Sequence, residues 1–331
     1  MAWDVSVNYD MISAAAQRLA GHARHTPLLS SPFLDQIAGR RVFVKAECLQ
    51  HTGSFKFRGA WSAVTALPEG ARGVIAFSSG NHAQGVAYAA RLRGLPALII
   101  MPRDAPAIKI ANTRALGAEV VLYDRASEDR DALGAALAAK RGLELIQPFD
   151  HPQVIAGQGS VGLEIAEQAR AEGIEAAQVL VCCGGGGLTS GIALALEQAA
   201  PQMQVRTVEP EGFDDVAQSL ATGQVVENPT RAGLCDAIVT PRPGVLTWPI
   251  LQHLCGPGLV VRDHDALRAM ALAHDRLKLV LEPGGAVALA AALFYPDQIA
   301  GDVVIVTASG GNVDRAVFLK ALEQGDADAD C

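Results

Sequence analysis

The chain has 331 residues, half of them hydrophobic and 19% charged, with a net charge of −8. Such a length suits one large domain or two modest ones, and the composition excludes a disordered chain. The acidic balance excludes the basic footprint of a nucleic-acid binder. The longest apolar runs, such as Leu95–Met101, are strand-sized and fall short of the roughly 18–20 residues that span a bilayer.

The first ten residues hold Asp4 and Asp10 and no apolar run, so no secretory leader is expected. A soluble, cytoplasmic protein with no nucleic-acid or membrane partner is the expectation. Cys48, Cys182, Cys183, Cys235, Cys255 and Cys331 form no CxxC pair and no zinc spacing, and they read as reduced, partly buried thiols.

In chain order, short apolar runs alternate with helix-length amphipathic segments. Val42–Ala46 predicts a strand. Gly73–Phe77 predicts a second, followed by a helix over Asn81–Leu92. Strands at Ala97–Met101 and Glu119–Tyr123 precede helices at Ala107–Leu116 and Glu128–Lys140. Leu143–Ile146 is a further strand. A long helix over Ile155–Glu172, a buried strand over Gln178–Cys183 and a helix over Leu188–Ala199 follow. Gln204–Glu209 and Val303–Ser309 complete the predicted strands, and the acidic end, Gly325–Cys331, is expected to fray. Alternation of this kind predicts an α/β fold of mostly parallel sheets flanked by helices. The compact units between about 70 and 148 predict a small domain over 69–148, with 1–68 and 149–331 joining as the larger one.

Four strand-to-helix or strand-end segments carry chemistry. In His51–Ala60, Gly53 and Ser54 can turn the chain into a helix whose first turn holds Lys56. A cation is unfavourable there, and an imine removes part of the conflict; Lys56 alone also reads as a solvated surface lysine. In Cys182–Gly191, four consecutive glycines open a helix, and a nest of N–H groups at a helix start is a phosphate cradle. No Gly-Lys-Ser/Thr follows, so it is not a P-loop. The run fits a dinucleotide fingerprint loosely, but no acidic residue stands clearly at the end of the next strand, Glu209 being the nearest. Phe77–Gly85 places Ser78, Ser79, Asn81 and His82 at the carboxyl end of a strand, where open α/β sheets bind ligands. Ala308–Asp314 could present the Ser309 hydroxyl to a ligand ring.

Together and in this order, these segments resemble the serine/threonine dehydratase and serine racemase family, of the tryptophan-synthase-β-like fold (fold type II), over nearly the whole chain. Ser54-Phe55-Lys56-Phe57-Arg58-Gly59 resembles its lysine motif, Ser79-Gly80-Asn81-His82 its substrate and ring loop, Gly184–Leu188 its phosphate loop, and Ser309-Gly310-Gly311-Asn312 its pyridine end. Ile155-Ala156-Gly157-Gln158-Gly159-Ser160 is a further signature.

The resemblance implies pyridoxal 5′-phosphate held on Lys56 as a Schiff base, with Lys56 later moving the Cα proton. It implies phosphate contacts from Gly184, Gly185, Gly186, Gly187 and Leu188, ring packing by Phe55, a ring-oxygen bond from Asn81 and a pyridine-nitrogen bond from Ser309. A neutral hydroxyl there leaves the ring a weaker electron sink, which suits β-elimination. Substrate contacts fall to Ser78, Ser79, Asn81 and His82. Ser79, a serine as in serine racemases and 3-hydroxyaspartate dehydratases, is implied as a catalytic group on the face opposite Lys56.

The implied activity is elimination of water from a small β-hydroxy amino acid, L-threonine or L-serine, to give a 2-oxo acid and ammonia. Serine racemase and 3-hydroxyaspartate dehydratase are the alternatives, and for the latter Arg130 and Arg242 are candidates to meet a second carboxylate. Glu209, the Phe213 carbonyl and Asp215 resemble the ligands of a divalent cation (Mg²⁺, Ca²⁺ or Mn²⁺), for which hard oxygen donors are suited; an acidic surface loop is the plain alternative. Relatives imply a homodimer. Two readings outside this chemistry, a nucleotide-dependent oxidoreductase and a catalytically silent binding protein, are disfavoured by the poor fingerprint and by the intact Lys56, Asn81 and Ser309. The stretch Cys235-Asp236-Ala237 and Ile238–Gly244 departs from the family pattern where relatives border the substrate.

Overall fold

The computed structural model describes residues 6–78, 80–105, 107–124, 126–229 and 233–329. Its strands are β1 (Leu28–Ser30), β2 (Arg41–Lys45), β3 (Val74–Phe77), β4 (Ala97–Pro102), β5 (Glu119–Tyr123), β6 (Glu144–Leu145), β7 (Ala177–Cys182), β8 (Met203–Pro210), β9 (Leu259–Val261) and β10 (Val303–Thr307). They form a six-stranded sheet in the order β1-β2-β10-β7-β8-β9 and a four-stranded sheet in the order β5-β4-β3-β6. Every pairing is parallel except that of β1 with β2. The mostly parallel α/β architecture is as the alternation predicts.

Burial explains the strand sequences. In β10, Val304, Ile305 and Val306 are fully buried, and all six residues of β4 are buried. A strand covered on both faces reads as a continuous apolar run instead of an alternating one.

The predicted elements recur with their ends shifted by a few residues; Leu143–Ile146 contracts to the two residues of β6. Several elements carry no readable pattern. Helix Pro283–Phe294, with sequence PGGAVALAAALF, is buried from Pro283 to Leu293 and lies against β7, β8 and β10. With no polar face it has no 3.6-residue period to detect. Strands β1 and β9 have three residues each, too few for alternation. The last helix runs from Arg315 to Ala329, over most of the segment expected to fray, and Asp330 and Cys331 lie outside the described residues. Among the described residues no helix is long and apolar enough to cross a membrane, and Cys48, Cys182, Cys183 and Cys235 are buried free thiols.

Helix Pro152–Ala171 packs on both helix Lys56–Thr65 and helix Gly187–Ala199. The approach is close enough to require glycine. A Cβ on Gly157 would lie 2.5 Å from the Arg58 carbonyl oxygen, and one on Gly191 would lie 2.5 Å from that of Ile155. Gly157 of the 155–160 signature thus lets its helix sit against the one that starts at Lys56, and Gly191 lets the helix that starts at Gly187 sit against the same signature, which fixes the two motifs relative to each other.

Candidate active site

Lys56 opens its helix where the chain leaves a tight turn, with Thr52 and Gly53 both at positive φ. The residue is half-buried, and Nζ donates to the Pro148 carbonyl at 2.8 Å. Burial lowers its pKa to about 8, and the nearby Glu282 carboxyl only partly opposes this. The Phe55 ring centroid lies 5.2 Å from Nζ.

Two residues on, Arg58 anchors the helix. Its guanidinium bonds both oxygens of Glu47, at 2.8 and 2.9 Å, and both of Glu164, at 2.6 and 2.9 Å. Lys45 adds a 2.6 Å bond to Glu164. A buried charge set is tolerable only when fully paired in this way.

Lys56 lines a cleft of about 250 Å³ together with Ser78, Asn81, His82, Tyr123, Arg130, Phe149, Asp236, Thr240 and Glu282. A narrower recess of about 50 Å³ shares Lys56, Phe149 and Thr240 with it and is walled by Phe55, Gln158 and Gly184 to Leu188. The sheets therefore bring the lysine motif, the asparagine loop and the glycine loop to one place. Gly186, at φ +91°, turns β7 into helix Gly187–Ala199 and offers no side-chain cap. The first N–H groups of that helix have no intrahelical acceptor, which leaves them to face an anion at the recess. The buried polar atoms Thr240 Oγ1 and Gln158 Nε2 have no hydrogen-bond partner among the described residues. Pyridoxal phosphate fits this arrangement: an amine for its aldehyde, an aromatic ring beside that amine, and an uncapped helix start with orphan polar groups for its phosphate.

The other predicted residues divide. His82 is buried, with Nε2 2.8 Å from the Ile146 carbonyl oxygen. Burial and the Lys56 charge lower its pKa to about 3, so it is a neutral packing group on the cleft wall and no acid. The Ser78 hydroxyl accepts the Gly80 N–H at 3.1 Å, and so shapes the loop. Ser79 lies outside the described residues. Ser309 is buried outside the lining of both cavities; its carbonyl accepts the Phe55 N–H at 3.1 Å. Arg130 stands on the cleft, with its guanidinium 5.2 Å above the Phe77 ring. Arg242 lines a second cavity, to which Arg130 also contributes, and pairs with Glu227 at 3.3 Å. Asp236, Ala237, Val239 and Thr240, from the stretch that departs from the family pattern, border the cleft.

Sequence reasoning passed over Glu282. Its buried carboxyl accepts from Asn81 Nδ2 at 2.6 Å, and its pKa is raised to about 7, chiefly by burial. In sequence, Glu282-Pro283-Gly284-Gly285 shows only a mild departure from the family's common Glu-Pro-Thr/Ala-Gly pattern, which gives Glu282 no role.

At the implied cation site, the Glu209 oxygens accept the N–H groups of Val216 and Ala217, at 3.0 and 2.7 Å. Asp215 Oδ1 accepts from Asn228 at 2.5 Å, while the buried Oδ2 has no partner among the described residues. Burial and the Asp215 charge push the Glu209 carboxyl well above its usual range. Among the described residues no three His, Cys, Asp or Glu side chains gather around one point. Both Glu209 oxygens are thus taken by backbone N–H groups, and Asp215 Oδ2 is left as the one carboxylate oxygen of the pair without a partner among the described residues.

Residues 19–310 match the family described as "Pyridoxal-phosphate dependent enzyme". The chain is 44% identical to an L-threo-3-hydroxyaspartate ammonia-lyase of Pseudomonas, over 96% of this chain and 98% of that one. It is 38% identical to a serine racemase of Schizosaccharomyces pombe, over 96% and 97% respectively. Among solved structures it resembles a threonine deaminase of T.th., with a TM-score of 0.88 and 43% identity over 93% of this chain and 99% of that one. With the buried Lys56 amine, the uncapped glycine loop and these likenesses agreeing, the chain belongs to the fold type II family of pyridoxal-phosphate-dependent enzymes.

Proposed function

We propose that the enzyme is an ammonia-lyase that removes water from 3-hydroxyaspartate to give a 2-oxo acid and ammonia. The observation that carries this is Arg130 on the wall of the Lys56 cleft. A guanidinium binds a carboxylate through two N–H groups, and threonine and serine have no second carboxylate to meet it. The name of the Pseudomonas relative supports the same substrate. Water elimination from L-threonine or L-serine, the activity that the sequence resemblance put first, uses the same machinery and is supported by the likeness to threonine deaminase.

Bound pyridoxal phosphate supplies an electron-accepting ring in conjugation with the substrate α-carbon. Lys56, whose amine is easily neutralised in its buried site, takes the proton from Cα. The N–H groups at the start of helix Gly187–Ala199 would hold the phosphate, Phe55 would pack beside the ring and Asn81 would donate to the ring oxygen; Ser309, outside the lining of both cavities, is carried over from the family resemblance alone as the partner of the pyridine nitrogen. Ser79 serves the face opposite Lys56. Arg130 orients the side-chain carboxylate so that the β-hydroxyl departs as water.

Part of the same proposal is a divalent cation on Glu209, the Phe213 carbonyl and Asp215, a homodimer, and a small domain over 69–148. The cation is tested by thermal unfolding with and without Mg²⁺: a rise in melting temperature that Asp215→Asn removes supports it, and no rise with Mg²⁺, Ca²⁺ or Mn²⁺ overturns it.

The substrate is tested by 2-oxo acid release from the 3-hydroxyaspartate isomers, L-threonine, L-serine and D-serine, with Lys56→Ala as control. Release from a 3-hydroxyaspartate isomer at the highest kcat/KM, absent in the control, supports the proposal. Faster release from L-threonine or L-serine returns the function to the earlier reading. Conversion of L-serine to D-serine without 2-oxo acid makes the protein a racemase.

A further inference from the structure

We propose that Asn312 and Glu282 are positioning residues that lock the Asn81 amide with one N–H facing the cleft. The inference rests on the cofactor and is independent of the substrate.

The chain of bonds starts at the Thr52 carbonyl, which can only accept. Asn312 Nδ2 donates to it at 2.7 Å, and the same nitrogen donates to Asn81 Oδ1 at 2.7 Å. This fixes the direction of the Asn81 amide. Its nitrogen then faces Glu282 and donates to Oε1 at 2.6 Å. An amide nitrogen has two N–H groups, so one remains, and Asn81 lines the Lys56 cleft. Reversing either amide would set two acceptors or two donors against each other at both ends.

The neighbouring glycines show that room is kept for this relay. A Cβ on Gly310 would lie 1.9 Å from Glu282 Oε1 and 3.2 Å from Asn81 Nδ2. One on Gly53, which also sits at φ +74°, would lie 2.7 Å from Asn312 Oδ1. Gly53, just before the lysine motif, thus faces Asn312, and Gly310, of the 309–312 motif, faces Glu282. Glu282 is buried at the end of the chain of bonds and accepts the Asn81 N–H through Oε1.

The test is pyridoxal-phosphate binding to the apoprotein, followed by the absorption band of the bound cofactor, in a double-mutant cycle. Asn312→Ala and Glu282→Ala are each expected to weaken binding about tenfold, the scale of one lost hydrogen bond, and to shift the band. Apoprotein melting should stay within a few degrees. Glu282→Gln, which keeps an acceptor, should restore the affinity. In an Asn81→Ala background, Asn312→Ala should have no further effect on binding. Wild-type affinity and an unmoved band in both alanine variants would overturn the proposal, as would an Asn312→Ala effect of equal size with and without Asn81. If Asn312→Ala does not fold, the cycle is run with Asn312→Ser, which keeps a donor for Thr52 and lacks the second N–H; the same two outcomes decide.

Discussion

The Lys56 amine donates to the Pro148 carbonyl at 2.8 Å. This bond ties the start of the lysine helix to the loop before helix Pro152–Ala171, and it holds the amine at the wall shared by the cleft and the narrower recess. Because burial lowers the pKa to about 8, about a tenth of the amine is neutral at pH 7, against roughly one part in three thousand for an ordinary lysine. Only the neutral form attacks an aldehyde. Uptake of pyridoxal phosphate by the apoprotein should therefore speed up about tenfold per pH unit below pH 8 and level off above it. Absorbance-monitored mixing from pH 6 to 10 checks this, and a rate still climbing steeply at pH 10 would contradict it.

The Arg58 network predicts a large loss of stability from a small change. Glu164→Gln leaves Arg58 and Lys45 with one buried carboxylate fewer. Breaking a buried pair on one side costs about 3–5 kcal/mol. Replacing Lys45, Arg58, Glu47 and Glu164 together by apolar residues of similar size, so that no buried charge is left unpaired, should cost less than Glu164→Gln alone. Denaturant midpoints of the apoproteins measure both, and a Glu164→Gln loss below about 1 kcal/mol would show that the set is solvated.

The chemistry was more legible in the sequence than the architecture. Lys56 and the Gly184–Gly187 run announce themselves because each violates a local preference: a cation in a first helical turn, and four glycines where entropy is lost. Such violations mark sites. Helix Pro283–Phe294 violates nothing and shows no period, so it was invisible, and with it went the position of Glu282 at its start. Arg130 and Arg242 were equivalent as sequence, since only the fold sets the first on the wall of the Lys56 cleft and the second outside it. His82 stands on the cleft wall as its loop suggested: Nε2 is taken by the Ile146 carbonyl, and the buried Nδ1 has no hydrogen-bond partner among the described residues.

Gly186→Ala should damage the cofactor site at its source. The residue sits at φ +91°, and a Cβ there would meet Leu251 Cδ1 at 2.7 Å and Thr247 at 3.0 Å. The strained backbone alone costs about 1–3 kcal/mol. Cofactor affinity should fall by at least about tenfold, because the first-turn N–H groups shift as a unit. Equilibrium dialysis of pyridoxal phosphate reads the loss, and unchanged affinity would remove the glycine loop from the phosphate site.

Arg130→Leu separates the candidate substrates. For 3-hydroxyaspartate, kcat/KM should fall about a hundredfold, as a charge-assisted bidentate contact worth about 2–3 kcal/mol is lost. For L-serine, which has no second carboxylate, kcat/KM should change less than about threefold. An equal loss on both substrates would place Arg130 on the α-carboxylate, common to all of them, and leave the side-chain preference to other cleft residues.

Glu282 gives the apoprotein a stability window on the acid side of neutral. Its folded pKa, raised to about 7, lies above the ordinary value of 4.5, and the charged neighbours are Lys56, Lys109 and Asp236, of which Asp236 raises it and the two lysines lower it. The folded state therefore holds a proton that the unfolded state releases between those values. Its contribution is fully present below pH 4.5 and is lost as the pH rises through about 7. The scale is at most about 3 kcal/mol. Lys56 acts in a separate window: its depressed pKa gives stability that is present above 10.5 and lost as the pH falls through about 8. Urea midpoints of the apoprotein and of Glu282→Gln, taken from pH 4 to 8, should therefore diverge. The native apoprotein should lose ground to the variant as the pH rises past 5, because glutamine carries no proton to lose. Parallel curves would mean that Glu282 is charged across the whole range, and that Asn81 and the flanking lysines hold its carboxylate against the cost of burial.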